Sequence, residues 1–180
     1  LMAEVIKVRG KNAFVQVFES TRGMRVGDEA EFEGHMLEVT LGPGMLSRNY
    51  DGLQNDLDKM EGVFLRRGEY TFPLDNDKLW DFKPLAKVGD KVAAGGWLGE
   101  VDENFQPHKI MVPFTFKGEY TVKSLKEAGQ YTIGEVIAVL TDETGKDVEV
   151  TMIQRWPVKR AITCYKEKPR PYKLLETGVR

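Results

Sequence analysis

Leu85-Ala86-Lys87-Val88-Gly89-Asp90-Lys91-Val92-Ala93-Ala94-Gly95-Gly96-Trp97-Leu98-Gly99-Glu100-Val101 is answered further along the chain by Leu125-Lys126-Glu127-Ala128-Gly129-Gln130-Tyr131-Thr132-Ile133-Gly134-Glu135-Val136-Ile137-Ala138-Val139-Leu140. Leu85 matches Leu125 and Gly89 matches Gly129. In each copy a glycine turn follows one apolar strand, and a second apolar strand follows about eight residues later. Two such halves cover one another's apolar faces, so the repeat predicts a β-sandwich with internal pseudo-symmetry.

Over residues 82–140 this pattern resembles a lipoyl or biotinyl domain, a flattened β-sandwich. That resemblance implies a cofactor-carrying lysine at the turn between the halves. The candidate is Lys109, in Gln106-Pro107-His108-Lys109-Ile110-Met111-Val112-Pro113. Lys109 runs directly into Ile110-Met111-Val112, which places it at the start of a strand, and a solvated strand lysine is the reading the residues favour. The stand-alone carrier module is kept as the alternative function.

Upstream, residues 3–8 and 13–18 are two β-branched and aromatic runs separated by Arg9-Gly10-Lys11-Asn12, the pattern of a hairpin. A turn at Gly23-Met24-Arg25-Val26-Gly27-Asp28 and a third strand from Ala30 to Phe32 make residues 1–33 read as an incomplete N-terminal β-barrel. Residues 34–69 form a connecting segment, with Gly42-Pro43-Gly44 as a rigid turn and Tyr50-Asp51-Gly52-Leu53-Gln54 as a single helical turn. Residues 70–150 hold the sandwich, and residues 151–180 form a basic, proline-containing return segment. The fold class predicted is therefore mainly β. Leu1 opens directly on a strand and residues 174–180 lead toward something further, so both ends read as cuts within a longer chain.

Composition narrows the function. With 41% apolar and 30% charged residues the chain buries a core, and no run of about 18 apolar residues occurs to span a membrane. A single cysteine, Cys164, forms no internal disulfide and fits a reducing compartment. Residues 1–150 carry 18 Lys/Arg and 26 Asp/Glu, whereas residues 151–180 carry 8 and 2. The basic tail is interrupted by Pro157, Pro169 and Pro171 and lacks interleaved stacking aromatics, which argues against a nucleic-acid partner.

Catalytic chemistry is missing from the pattern. A phosphate cradle requires Gly-x4-Gly-Lys-[Ser/Thr], but Gly10-Lys11 is preceded by Val5 and Gly145-Lys146 by Leu140 at the required glycine position. The glycines of Gly95-Gly96-Trp97-Leu98-Gly99 read as turn glycines, with no helix signal after them. His35, His108 and Cys164 lie too far apart for a zinc motif, and Cys164 with either histidine is a formal nucleophile pair that reads more simply as a small buried residue. Asp75, Asp77 and Asp81 cluster around Lys78 and Trp80 as a polar loop. The sequence assigns no catalytic, cofactor-binding or metal-ligating residue.

A broader resemblance runs along the whole chain. Glu38-Val39-Thr40-Leu41-Gly42-Pro43-Gly44-Met45-Leu46, Tyr50-Asp51-Gly52-Leu53-Gln54 and Gly62-Val63-Phe64-Leu65-Arg66-Arg67-Gly68 come first. Trp80-Asp81-Phe82-Lys83-Pro84-Leu85, Lys87-Val88-Gly89-Asp90-Lys91-Val92, His108-Lys109-Ile110-Met111-Val112-Pro113, Gly129-Gln130-Tyr131-Thr132-Ile133, Gln154-Arg155-Trp156-Pro157-Val158 and Lys168-Pro169-Arg170-Pro171-Tyr172 follow in order. These strings resemble the A subunit, the nucleotide-hydrolysing chain, of V-type and archaeal A-type rotary ATPases. The resemblance implies that residues 70–150 are that family's insert, the bulge or non-homologous region. It further implies a P-loop beyond Leu174 to Arg180 that holds ATP and magnesium, so this piece lacks the catalytic site and is a scaffold. B subunits, other A subunits and the peripheral stalk are the implied partners, on the cytoplasmic face of a membrane across which protons or sodium are pumped, with no direct membrane insertion.

Overall fold

The computed structural model describes residues 1–60, 67–165, 167, 168 and 170–172. Most of the family-like string from Gly62 to Gly68, the position Pro169 and the terminal stretch after Tyr172 lie outside them. Among the described residues twelve strands and one 3-10 turn are formed and no α-helix.

Two four-stranded antiparallel sheets make the sandwich. One has the order β7-β6-β4-β9, from β4 (Leu79–Pro84), β6 (Trp97–Glu103), β7 (Gln106–Met111) and β9 (Gly129–Thr132). The other has the order β11-β10-β8-β5, from β5 (Lys91–Ala93), β8 (Glu119–Leu125), β10 (Ala138–Asp142) and β11 (Asp147–Val150). Each sheet takes three strands from its own half of the repeat and its short fourth strand from the other half. The internal symmetry predicted from Leu85/Leu125 is thus a swap of edge strands. Of the matched glycines, Gly89 sits at φ +94° in a turn, while Gly129 begins a strand.

The cores obey the same symmetry. Phe82, Ile110 and Val112 recur forty positions later as Val122, Val150 and Met152. One buried cluster unites Phe82 and Ile110 with Met152, Ile133, Ile137, Trp80, Val101 and Leu74. The second unites Val122 and Val150 with Val112, Leu98, Ala138 and Leu140, and Leu125 packs against both. Each half therefore completes the other's apolar interior, which no single half could close. Packing is tightest at Gly99, where an added Cβ would lie 2.2 Å from the Phe82 ring and 2.8 Å from the Lys83 carbonyl oxygen.

The sandwich hangs from a two-stranded ribbon. β3 (Glu38–Leu41) arrives and β12 (Gln154–Pro157) leaves, paired antiparallel from Leu41 opposite Gln154 to Glu38 opposite Pro157. The free edge of β3 is covered by one side chain: Gln54 accepts from the Thr40 amide and donates to the Thr40 carbonyl, both at 2.7 Å. Gly42 leaves the ribbon where any Cβ would meet Ile153 at 2.7 Å.

The N-terminal region is a hairpin, β1 (Ala3–Arg9) and β2 (Asn12–Val17), and no closed barrel forms among the described residues. The third strand expected from Ala30 is absent, because residues 30–33 have no ladder partner to satisfy their backbone groups. The helical turn expected at residues 50–54 is an Asx-type loop instead. Asp51 accepts from the Leu53 and Asn55 amides at 2.9 and 2.8 Å, a single bridge joins Tyr50 to Asp56, and the helical turn falls at Leu57–Lys59.

Candidate assembly surfaces and the Glu103 clasp

The residues singled out for chemistry go to separate places. His35 is exposed near Glu33 and Glu38, at 3.4 and 4.0 Å. Cys164 lies over the bare backbone of Gly95, and His108 pairs with Glu103. Asp75 closes its own loop by accepting from the Asp77 amide at 3.1 Å, Asp81 accepts from Gln130, and Lys78 stands 3.9 Å over the Trp80 ring. Among the described residues no group of three or more His, Cys, Asp or Glu is placed to hold a metal ion. Gly10 and Gly145, the glycines of the two failed phosphate motifs, turn the β1–β2 and β10–β11 hairpins with φ +59° and +84°. Neither opens a helix, so these residues do not fit ATP and magnesium.

Lys109 lies within β7 directly opposite Glu100 in β6 and hydrogen-bonds to it, with its ammonium 5.0 Å from the Trp97 ring. That bond holds the Glu100 carboxyl below its ordinary range. The tip of the β6–β7 hairpin, within the first half of the repeat, is occupied by Asn104 and Phe105. Both take left-handed conformations, φ +51° and +65°, and Phe105 is fully exposed. A bulky aromatic in that region is uncommon and usually carries a conformational cost.

Just behind this tip is the best-built polar arrangement in the chain. Glu103, 2% exposed, accepts from the Gly44 and Leu46 amides at 2.7 and 3.0 Å through Oε1. Its Oε2 accepts from His108 Nδ1 at 2.6 Å, which fixes the hydrogen on that ring nitrogen. Asn104 Nδ2 adds a bond to Ser47 Oγ at 3.0 Å. The Gly-Pro-Gly turn is thereby clasped to the sandwich, and Gly44 reaches the shape required with φ +102°, where an added Cβ would lie 3.5 Å from Trp80 and 3.9 Å from Leu74. Glu103 was not legible as a site residue: in sequence it is one acidic residue among several at a strand end.

The second surface is apolar. The β1–β2 register sets Ala3 against Val17, Val5 against Val15 and Val8 against Ala13, so one face of the hairpin is wholly apolar past the bulge at Ile6. Val8 is 67% exposed, and neither buried cluster takes a residue from the first 44 positions. What ties the hairpin to the remainder is polar. Lys159 donates to Glu4 at 2.5 Å, and Glu19 accepts from the Tyr70 hydroxyl and, at 2.7 Å, from the Gly68 amide. The Tyr70 bond, followed by the Gly68 bond, lowers the Glu19 pKa, while burial and then that same bond raise that of Tyr70.

An apolar hairpin, a paired ribbon and an internally duplicated sandwich define a class of protein, the β-barrel followed by barrel-sandwich of ATP synthase subunits. Residues 1–34 match the family described as ATP synthase alpha/beta family, beta-barrel domain, and residues 71–159 match the ATP synthase alpha/beta subunit barrel-sandwich domain. The chain is 47% identical over its whole length to the V-type ATP synthase alpha chain of Treponema denticola and covers 31% of that protein. It is 47% identical to that of Borrelia garinii subsp. bavariensis, covering 32%, and 43% identical to that of Protochlamydia amoebophila, covering 31%, again over its whole length. The chain belongs to the V-type ATP synthase alpha chain family, and it spans about a third of the length of the curated relatives it matches.

Proposed function

We propose that residues 1–180 act as the non-catalytic scaffold of an A subunit in a V/A-type rotary ATPase that couples ATP turnover to proton or sodium transport. ATP and magnesium belong to a P-loop elsewhere in the subunit, and no residue of this stretch takes a step in phosphoryl transfer. The hairpin's apolar face packs into a barrel, and such barrels form a crown of alternating A and B subunits. The sandwich is the bulge, which stands off the subunit and bears on the peripheral stalk. The complex works at the cytoplasmic face of a membrane, and no helix among the described residues is long and apolar enough to cross one.

The observation that carries this reading is the root of the sandwich. A self-closed β-body joined through two paired strands resists bending better than one on a single linker, as a torque-resisting contact requires.

The test replaces residues 71–150 of a full-length subunit by a Gly-Ser link. Nucleotide binding is expected to persist while association with isolated stalk subunits weakens by at least tenfold; unchanged stalk affinity would overturn the assignment.

A further inference from the structure

Among the described residues the Tyr50 hydroxyl donates to the Pro73 carbonyl at 2.8 Å, the Lys59 ammonium donates to the Leu74 carbonyl at 3.1 Å, and Met45 packs against the first cluster. Two further attachments hold the sandwich to the connecting segment. The first is the β3–β12 ladder, four residue pairs long, with Phe114 of the sandwich donating its amide to Gln154 at 2.9 Å and stacking edge-on against Trp156. A short two-stranded ribbon twists readily about its own axis, so this attachment alone fixes position better than angle. The second is the clasp at residues 44–47, off the ribbon, on the tip of the β6–β7 hairpin.

We infer that Glu103 is a latch that fixes the angle between the sandwich and the connecting segment, with His108 as its second pin. The carboxylate spans the junction with both oxygens engaged: Oε1 gathers two amides of a turn 57 and 59 residues away, and Oε2 takes the imidazole of its own hairpin. A buried carboxylate with three donors is directional, because losing any donor leaves lone pairs unsatisfied in a site closed to water. Packing supports the turn as well, with Pro43 fully buried and Met45 against the cluster that holds Trp80 and Leu74, but apolar contact is non-directional. The latch adds three directed hydrogen bonds on one buried carboxylate, which is what sets the angle. The proposal concerns the setting of the sandwich and holds whether or not a stalk is what the sandwich meets.

The test uses the 180-residue chain with Cys164→Ser and spin labels on cysteines replacing exposed Asn49 and Lys146. Electron–electron double resonance in frozen solution is expected to give one narrow distance distribution for the parent. Glu103→Ala is expected to at least double its width, while amide exchange at Val122 and Leu140 stays within threefold of the parent. His108→Ala, which keeps both turn amides on Glu103, is expected to give an intermediate width and serves if Glu103→Ala does not fold. Widths unchanged in both variants would overturn the proposal, as would loss of protection throughout the sandwich in parallel with the broadening, which marks a general stability residue.

Discussion

The β1–β2 hairpin and the sandwich are written in the same language of alternating apolar strands and glycine turns, yet they end in opposite states. In the hairpin, Val5, Val8 and Val15 share one apolar face and stay 40%, 67% and 43% exposed among the described residues. In the sandwich, Leu98, Val101, Ile133 and Leu140 are wholly buried. Alternation makes a strand and gives it an apolar side, but only duplication with an exchange of edge strands lets a short stretch bury that side by itself. The sandwich's remedy is internal symmetry; on the function proposed above, the hairpin's is a barrel built into the assembled enzyme.

If that contrast is right, interior changes strike the sandwich hard. Leu140→Ala, at a fully buried position of the second cluster, is expected to cost about 3–4 kcal/mol, read as a lower midpoint in urea unfolding. Gly99→Ala forces a methyl into the Phe82 ring and the Lys83 carbonyl, and overpacking of that kind is expected to cost about 2–3 kcal/mol. Either variant behaving like the parent would show that the sandwich is not the chain's closed core.

Smaller effects sharpen the other side. Val8→Lys, on the open hairpin face, is expected to leave sandwich unfolding within about 0.5 kcal/mol of the parent while reducing self-association in sedimentation velocity. A large loss of sandwich stability would mean that the two regions share a core after all. The smallest effect is electrostatic. Lys123 donates to Asp147, the first cause of that carboxyl's lowered pKa, with Thr141 second, and Asp142 is lowered by Thr144 and then the Lys146 amide. A depressed folded-state carboxyl stabilises above its unfolded pKa, and the contribution disappears as pH falls through the folded value. Lys123→Met is therefore expected to raise the Asp147 titration midpoint in an NMR pH series and to lower stability slightly near neutrality, with the difference from the parent vanishing as pH falls through the carboxyl range.

How much of this was readable beforehand follows from where the information sits. The sandwich was legible because its signal is repeated: Leu85 and Leu125 announce two copies, and periodicity within each gives strands. The exchange of β5 and β9 was not, because three- and four-residue edge strands carry too little pattern to reveal their partners. Gly42-Pro43-Gly44 was readable as a turn, though not that Gly42 is needed for closeness to Ile153 and Gly44 for its left-handed backbone. The misplaced helical turn has a local cause, since the Asp51 carboxylate accepts from the Leu53 and Asn55 amides and from the Asn55 side chain, an alternative to helical bonding. The Glu103 clasp was out of reach, for its partners lie some sixty residues upstream and its burial is a property of the assembled fold. The Ala30 strand failed for want of a partner, which propensity alone does not supply.

The sandwich completes itself, whereas on the function proposed above the hairpin is completed only in the assembled enzyme. Hydrogen exchange on the isolated 180-residue chain and on the same residues within an assembled ATPase tests it most directly. Amides of β1 and β2 are expected to gain at least a hundredfold protection on assembly, with those of Val122, Ile133 and Leu140 changing less than threefold. Equal gains in both regions, or a hairpin already as protected as the sandwich in the isolated chain, would contradict it.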